Sequence, residues 1–416
     1  PRPPRCAIVK PMRVPSAVPG RRRPVLRAAF LAFGLGFPLC LAVPAAAEAT
    51  PAPPHAVAGE LRPGDLAVGE RIPLEGEWLF VPGRLLGAAD DWSGAVKRSV
   101  PDRWKGDDAG GASGMGAGSY RLHIVLPGPR EDLGLRFTTT GTSFELEVNG
   151  AVLGGAGRPS TDPRYAIPAY APGVLRFDAP DGVVDVIVRI SNHEYRTGGM
   201  WRTFVLGDGK TLARIKRARD IGIFAFASIT LAFAINSLAI FLFRRKERAF
   251  LAFGVFSLVI ALRSITTNEY VILQVLPGLS FDALVRLEYV STYFSIPAGM
   301  AYFMSVFREE ARPAVRAVLL VPFLAFGQLI FWAPLPLLTR SLTPFYPVAI
   351  GLIAAGCLLV YVPALLHRRQ GALGLLPGIL VLAGTAASDM LFQSFLVQSP
   401  SILMLALGLF VLSQAL

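Results

Sequence analysis

Asn192, His193, Tyr195, Arg196 and Trp201 fall close together in the stretch ISNHEYRTGGMWRTFVLGDG, Ile190 to Gly209. Rings that stack on the apolar faces of a sugar, beside an amide, an imidazole and a guanidinium that hydrogen-bond its hydroxyls, are the side chains of a carbohydrate-binding surface. Trp78, Trp104 and Arg164 share this chemistry and join them as candidates for a small polar or saccharide ligand. Each has a competing reading as packing. Aromatics at strand spacing commonly fill a core, so Trp78 and Trp104 lean that way, and Trp201 with Phe204 also reads as core beside a solvated turn at His193 and Glu194. The four histidines, at 55, 123, 193 and 367, lack metal-ligand spacing, so no metal is expected, and no cofactor or catalytic residue is assigned.

A second constellation lies in apolar sequence, where a charge is expensive and faces the bundle interior. Arg263 and Asp389 fall ~14 and ~16 residues into their apolar runs, and at ~1.5 Å per residue both reach the outer half of a bilayer at matching depth. An ion pair between them is expected. The alternatives are pairing of Arg263 with Glu269 or Glu288, or snorkelling of its guanidinium to the headgroups.

These residues are positioned by two unlike halves. From Gly76 to about Leu206 the pattern has period two, as in YRLHIVL, FELEV and VVDVIVRI, with an Asn149-Gly150 turn dipeptide after FELEV. Alternation of this kind predicts an all-β jelly-roll or β-sandwich domain over 76–209. Gly198-Gly199 permits a tight reversal, after which MWRTFVLG is read as the last strand. Seven apolar stretches follow: 221–243, 249–265, 287–306, 317–332, 346–366, 373–391 and 402–416. Each approaches the ~20 residues that span a bilayer, predicting an all-α seven-helix transmembrane domain over 221–416, with 210–220 as a juxtamembrane connector.

The chain has 416 residues, 53% hydrophobic and 17% charged, at net +12. The basic residues ahead of Glu48 contribute eight of those charges, so the balance is no nucleic-acid signature. They belong to a leader, 1–47, with a basic region, an apolar run over Val25–Val43 and small residues near Ala45–Ala49. It reads as a signal peptide, with an uncleaved first helix as the alternative. A linker is expected over 48–75. Cys6 and Cys40 lie in the leader and Cys357 in an apolar stretch, so the exported domain holds together without disulfides. The first, third and fifth connections carry nine Lys and Arg (244, 245, 246, 248, 308, 312, 316, 368, 369) against two (286, 340) in the second and fourth. This places the odd connections in the cytoplasm, the N-terminal domain outside and the C-terminus inside.

GEWLF, VPDRW, GSYRLHIVLP, LEVNG and ISNHEYRTGGMWRTFVLG resemble the periplasmic jelly-roll module of the bacterial seven-transmembrane receptors with diverse intracellular signalling modules. That module is itself similar to the sugar-binding, galactose-binding-like domain of family 2 glycoside hydrolases. FGVFSLVIALRSITTNEY and RLEYVSTYFSIPAGMAYFMSVF resemble the second and third helices of the same receptors. The resemblance implies a non-enzymatic sensor in the bacterial inner membrane that relays a signal to a cytoplasmic output domain, expected beyond Leu416. A membrane-anchored carbohydrate-binding protein and a polytopic transporter are the competing classes. The expected partners are the lipid bilayer, a small-molecule or carbohydrate ligand, the output domain and a second copy in a homodimer, but no nucleic acid.

Overall fold

The computed structural model describes residues 54–64, 70–110 and 114–369, with single positions 372, 375 and 384 beyond them. The expected leader, the seventh span, nearly all of the sixth and Asp389 lie outside the described residues.

The period-two runs form a two-sheet sandwich. The strands are β1 (Glu60–Leu61), β2 (Arg71–Pro73), β3 (Gly76–Pro82), β4 (Val96–Val100), β5 (Gly116–Val125), β6 (Arg130–Phe137), β7 (Ser143–Val148), β8 (Ala151–Ala156), β9 (Gly173–Ala179), β10 (Val183–Asn192) and β11 (Val205–Asp208). One sheet has the order β4-β3-β5-β10-β7-β8, with β1 pairing in parallel along the last residues of β5; the other runs β2-β11-β6-β9. Alternation sends Tyr120, Leu122 and Ile124 of β5 and Val184, Val186, Val188 and Ile190 of β10 inward, where they meet Leu133, Leu135, Phe137 and Leu206 of the second sheet in one core. Phe137, Phe144 and Phe204 close it, with ring centroids 5.1 to 5.9 Å apart. Each such side chain contributes ~1.5–3 kcal/mol on burial, which substitutes for disulfides. The intervening residues face outward and pair across strands, Arg121 with Asp185 at 2.9 Å and Arg189 with Glu145 at 2.6 Å and Glu147 at 2.9 Å. At the predicted hairpin Asn149 and Gly150 have φ of 51° and 79°, as a primed turn requires.

The sandwich begins earlier than expected. β1 and β2 fall in the supposed linker, and Ala56, Leu61, Ile72 and Leu74 belong to the core. Strands of two and three residues interrupted by Pro and Gly are too short to show a period. The last strand is also shorter than MWRTFVLG, since only Val205–Asp208 joins a sheet.

The expected connector does not exist as a separate segment. Asp208 ends β11 and caps the next element, its carboxylate accepting from the Thr211 amide at 2.7 Å, and α1 then runs unbroken from Gly209 to Phe243. The caps and the run KTLARIKRARD suit a helix, because Lys, Leu, Ala and Arg are strong helix formers. The remaining helices are α2 (Arg248–Thr266), α3 (Ile272–Val275), α4 (Phe281–Val306), α5 (Pro313–Trp332), α6 (Leu335–Arg340), α7 (Leu342–Gly356) and α8 (Val362–Leu366), with a π turn at Cys357–Tyr361 between the last two. Among the described residues, four helical segments are long and apolar enough to cross a membrane: 209–243, 248–266, 313–332 and 335–366. α4 is long enough but carries Asp282, Arg286 and Glu288. Large apolar side chains face outward along these helices, Phe243 at 89% exposure and Phe331 at 81%, which in a water-soluble bundle would be an untenable surface. The helical part is a membrane domain.

The connections alternate between two ends. Residues 267–280 and 333–341 lie against the sandwich, whereas 244–247 and 307–312 lie together at the far end, where the Arg308 guanidinium donates to the Lys246 carbonyl at 3.2 Å. Nearly all the loop cations counted in the sequence collect at that far end.

Candidate functional site

The residues proposed as a ligand surface are not brought together. Trp78 has no exposed surface, and its indole donates to the Leu74 carbonyl at 3.1 Å. Trp104 is 1% exposed and donates to the Tyr120 hydroxyl at 2.7 Å, which in turn donates to Asp102 at 2.6 Å. Both are core residues with no ring face open to a ligand. Asn192 is fully buried; its amide donates to the carbonyls of Gly114 at 3.2 Å and Tyr195 at 2.9 Å and accepts from the Tyr195 amide at 3.0 Å, so it shapes the loop leaving β10. Arg164 is exposed, paired with Asp162 at 2.6 Å and stacked over Tyr165. His193 is half-buried, with Nε2 2.9 Å from the Ser160 carbonyl oxygen, beside the same Asp162–Tyr165 turn.

Tyr195, Arg196 and Trp201 serve a different purpose. The loop leaving β10 turns at Gly198, where a Cβ would lie 2.4 Å from the Trp104 ring, and Gly199, at φ 101°. The loop thereby projects Tyr195 and Trp201 onto the membrane domain. Their rings lie 5.1 Å apart, Trp201 faces Tyr170 at 6.5 Å, and Tyr170 packs on Tyr270 at 4.9 Å and Phe281 at 5.0 Å. Tyr289 and Tyr293 of α4 complete one buried cluster with them. Its polar tips are placed: the Arg196 amide donates to the Thr339 hydroxyl at 3.0 Å, Tyr289 donates to the Thr339 carbonyl at 3.3 Å, and Tyr270 donates to Glu288 at 3.2 Å. Burial, and then neighbouring tyrosine and Glu288 charge, push the Tyr170 and Tyr270 hydroxyls well above the ordinary tyrosine range, so they remain neutral donors.

A second contact is ionic. Arg136 points outward from β6 and pairs with Glu269, in the connection after α2. Lys216 and Arg219 of α1 approach the same carboxylate at 3.5 and 3.7 Å, and Lys216 also binds Asp220 at 2.8 Å. Asp220 accepts from Gln274 at 2.8 Å. Glu269 is 7% exposed. Burial lowers the affinity of Arg136 for its proton, and the Glu269 carboxylate opposes that shift. One acid therefore ties the sandwich, the first helix and the second connection together. Beneath it Leu212 of α1 packs against Gly134 of β6.

Glu269 is thus engaged by the sandwich and not by Arg263. Arg263 is 6% exposed, which excludes snorkelling, and donates to the Thr292 hydroxyl of α4 at 2.7 Å. Asp389, its expected partner, lies outside the described residues. Sequence reasoning missed Arg136, Tyr170, Lys216, Arg219, Tyr270, Tyr289 and Thr339. The one usable signal was Tyr289 and Tyr293 at i, i+4, which places both rings on one helix face.

An aromatic and ionic seat for a β-sandwich, continuous with the first of several helices long and apolar enough to cross a membrane, defines a polytopic membrane protein whose β domain is joined directly to its helices. Residues 220–416 match the family described as 7TM diverse intracellular signalling. No curated protein matches the chain. Solved structures similar to part of it include beta-glucuronidases of Faecalibacterium prausnitzii (14% identity, 33% of this chain and 31% of that one, TM-score 0.26) and Ruminococcus gnavus (14%, 33% and 28%, 0.26). A beta-galactosidase from Bacteroides fragilis is also similar (20%, 33% and 23%, 0.24). The chain therefore spans under a third of the length of these enzymes, and nothing about ligand or activity follows from likenesses at such scores.

Proposed function

We propose that the chain is a transmembrane signalling receptor whose sandwich, outside the bacterial inner membrane, takes up a small polar ligand of the saccharide class and passes the event through its seat on the helices to a cytoplasmic output. The observation that carries this reading is the rigid joint of β11 to α1 through the Asp208 cap, braced by Glu269 and by the aromatic cluster. A passive anchor needs neither a continuous helix nor two docking contacts. Catalysis is assigned to the output and not to the residues described.

Of the candidate ligand residues, Arg164 is exposed and His193 and Arg196 are half-buried, and Tyr165, 60% exposed beside Arg164, joins the set. The full chain in detergent, melted against a saccharide panel, tests this. A ligand at a hundredfold excess over Kd should raise stability by ~2.7 kcal/mol. Arg164→Ala with Tyr165→Ala should abolish that shift and leave the unliganded midpoint within about 1 °C, because exposed side chains change stability little. A folded protein that no saccharide shifts would instead contact another protein or act as a spacer.

Sidedness has its own test. The positive far end is read as cytoplasmic, so a cytoplasm-active reporter should work after Gln370 and a periplasm-active one after Leu279. The reverse pattern would invert the orientation.

A further inference from the structure

At the far end the helices border an open cleft of about 400 Å³ lined by Arg245, Lys246, Arg248, Arg308 and Arg316. This volume falls in the range of small-molecule sites. Three separate segments contribute the cations: the α1–α2 connection with the start of α2, the α4–α5 connection, and the first turns of α5. No carboxylate lines the cleft. Glu309 and Glu310 lie nearby in sequence but are held by Arg369, Glu310 at 2.7 Å.

The guanidinium groups are oriented as well as clustered. Arg245 donates through Nε to the Leu242 carbonyl at 3.3 Å, and Arg308 donates through Nε to Ser305 at 3.2 Å and through Nη2 to Lys246 at 3.2 Å. Such bonds fix the planes while leaving other N–H groups to a ligand. The Nε of Arg316 is buried without a hydrogen-bond partner among the described residues. α2 and α5 both start at this end with no side-chain N-cap, so their positive dipole ends add to the field. The general excess of cations on one side of a membrane does not require five of them to face one cleft. A tetrahedral oxyanion does satisfy it, since planar guanidinium forks match phosphate oxygens pairwise. Depth names its source: α1 has 35 residues, ~52 Å at ~1.5 Å each, which carries the cleft from the sandwich across the ~40–45 Å of a bilayer with its headgroups.

We propose that this cleft binds the phosphate of an anionic phospholipid of the cytoplasmic leaflet, an inference that rests on the membrane orientation given above. The lipid would tie the first and second connecting elements of the far end to α5, beside the route by which helix movement leaves the membrane domain.

The test uses the full chain in a neutral detergent, with phosphatidylglycerol, phosphatidylcholine or inorganic phosphate as the probe and the melting midpoint as the readout. Phosphatidylglycerol should raise the midpoint with dose, phosphatidylcholine should not, and Arg308→Gln with Arg316→Gln should weaken the apparent affinity at least tenfold. If that variant does not fold, Arg245→Gln, whose side chain is exposed, should weaken it several-fold. Equal shifts from phosphatidylglycerol and phosphatidylcholine, or full affinity in the variants, would overturn the site. An equal shift from inorganic phosphate would overturn the lipid as occupant and assign a soluble phosphate compound. The reporter fusions above fail or succeed independently of these results, so an error in orientation is distinguishable from an error in the site.

Discussion

Glu269→Ala is expected to destabilise the seated sandwich by roughly 3–5 kcal/mol, the cost of removing one partner from a buried ion pair and leaving the other charge uncompensated. The prediction is large because three cations, Arg136, Lys216 and Arg219, converge on this one carboxylate, and Arg136 has 12% of its side chain exposed. Without it, like charges from β6 and α1 face each other in a space closed to water. Arg136→Ala removes the most deeply placed cation, so the double variant should recover part of the loss, with an interaction energy of about 0.5–3 kcal/mol across the cycle. Denaturant unfolding of the full chain in detergent measures the four stabilities. Limited proteolysis of the segment around Tyr270, covered in the seated arrangement, reports whether the seat itself has opened. Additive losses would mean that Arg136 and Glu269 do not act as a pair, and the joint would then rest on the Asp208 cap and the aromatic cluster.

The parts legible in the sequence are those governed by local periodicity. Tyr120 to Val125 and Val183 to Ile190 alternate because each strand has one wet face and one dry face, and Asn149-Gly150 marks its own turn because both residues accept positive φ. The apolar helices announced themselves by length. What could not be read was pairing between distant segments. Arg136 and Glu269 stand 133 residues apart, and no spacing rule connects a strand's outward arginine to a loop glutamate. The stretch from Lys210 to Asp220 looked like a charged linker because its cations hide a good helical sequence, and only the Asp208 cap and the cation partners at Glu269 show that it is the rigid start of α1.

The opening cluster of aromatics admitted two readings, ligand surface and packing, for a physical reason. Tyr195 and Trp201 have apolar bodies and polar tips, which suits a sugar face but suits equally a protein contact at the edge of a membrane, where rings pack and polar tips need defined partners. Sequence alone sees the residue types. The choice between the two was made by Gly198 and Gly199, which turn the loop toward Tyr289 and Thr339 and away from solvent.

Trp104 allows that distinction to be measured. Trp104→Ala is expected to cost about 3–5 kcal/mol, the range for truncating a buried aromatic, and to lower the melting midpoint of the sandwich accordingly. Its ring fills the space beside Phe80 at 6.1 Å and lies directly against Gly198, while its carbonyl accepts from the Thr197 hydroxyl at 2.8 Å. Truncation therefore opens a cavity under the loop that carries Tyr195 and Trp201, and the seat on the helices should loosen with the core. Trp104→Phe separates the two contributions. It keeps most of the volume but removes the indole donor to Tyr120, whose hydroxyl burial and the Asp102 carboxylate hold protonated and donating. The loss should then fall to about 1–3 kcal/mol, the cost of an unmade buried hydrogen bond. A ligand-stacking residue would behave in the opposite way: truncation would leave the midpoint near wild type and reduce only the shift produced by saccharide. A Trp104→Ala protein that melts normally would therefore return this residue to the binding surface and mean that the docking loop does not depend on the core beneath it.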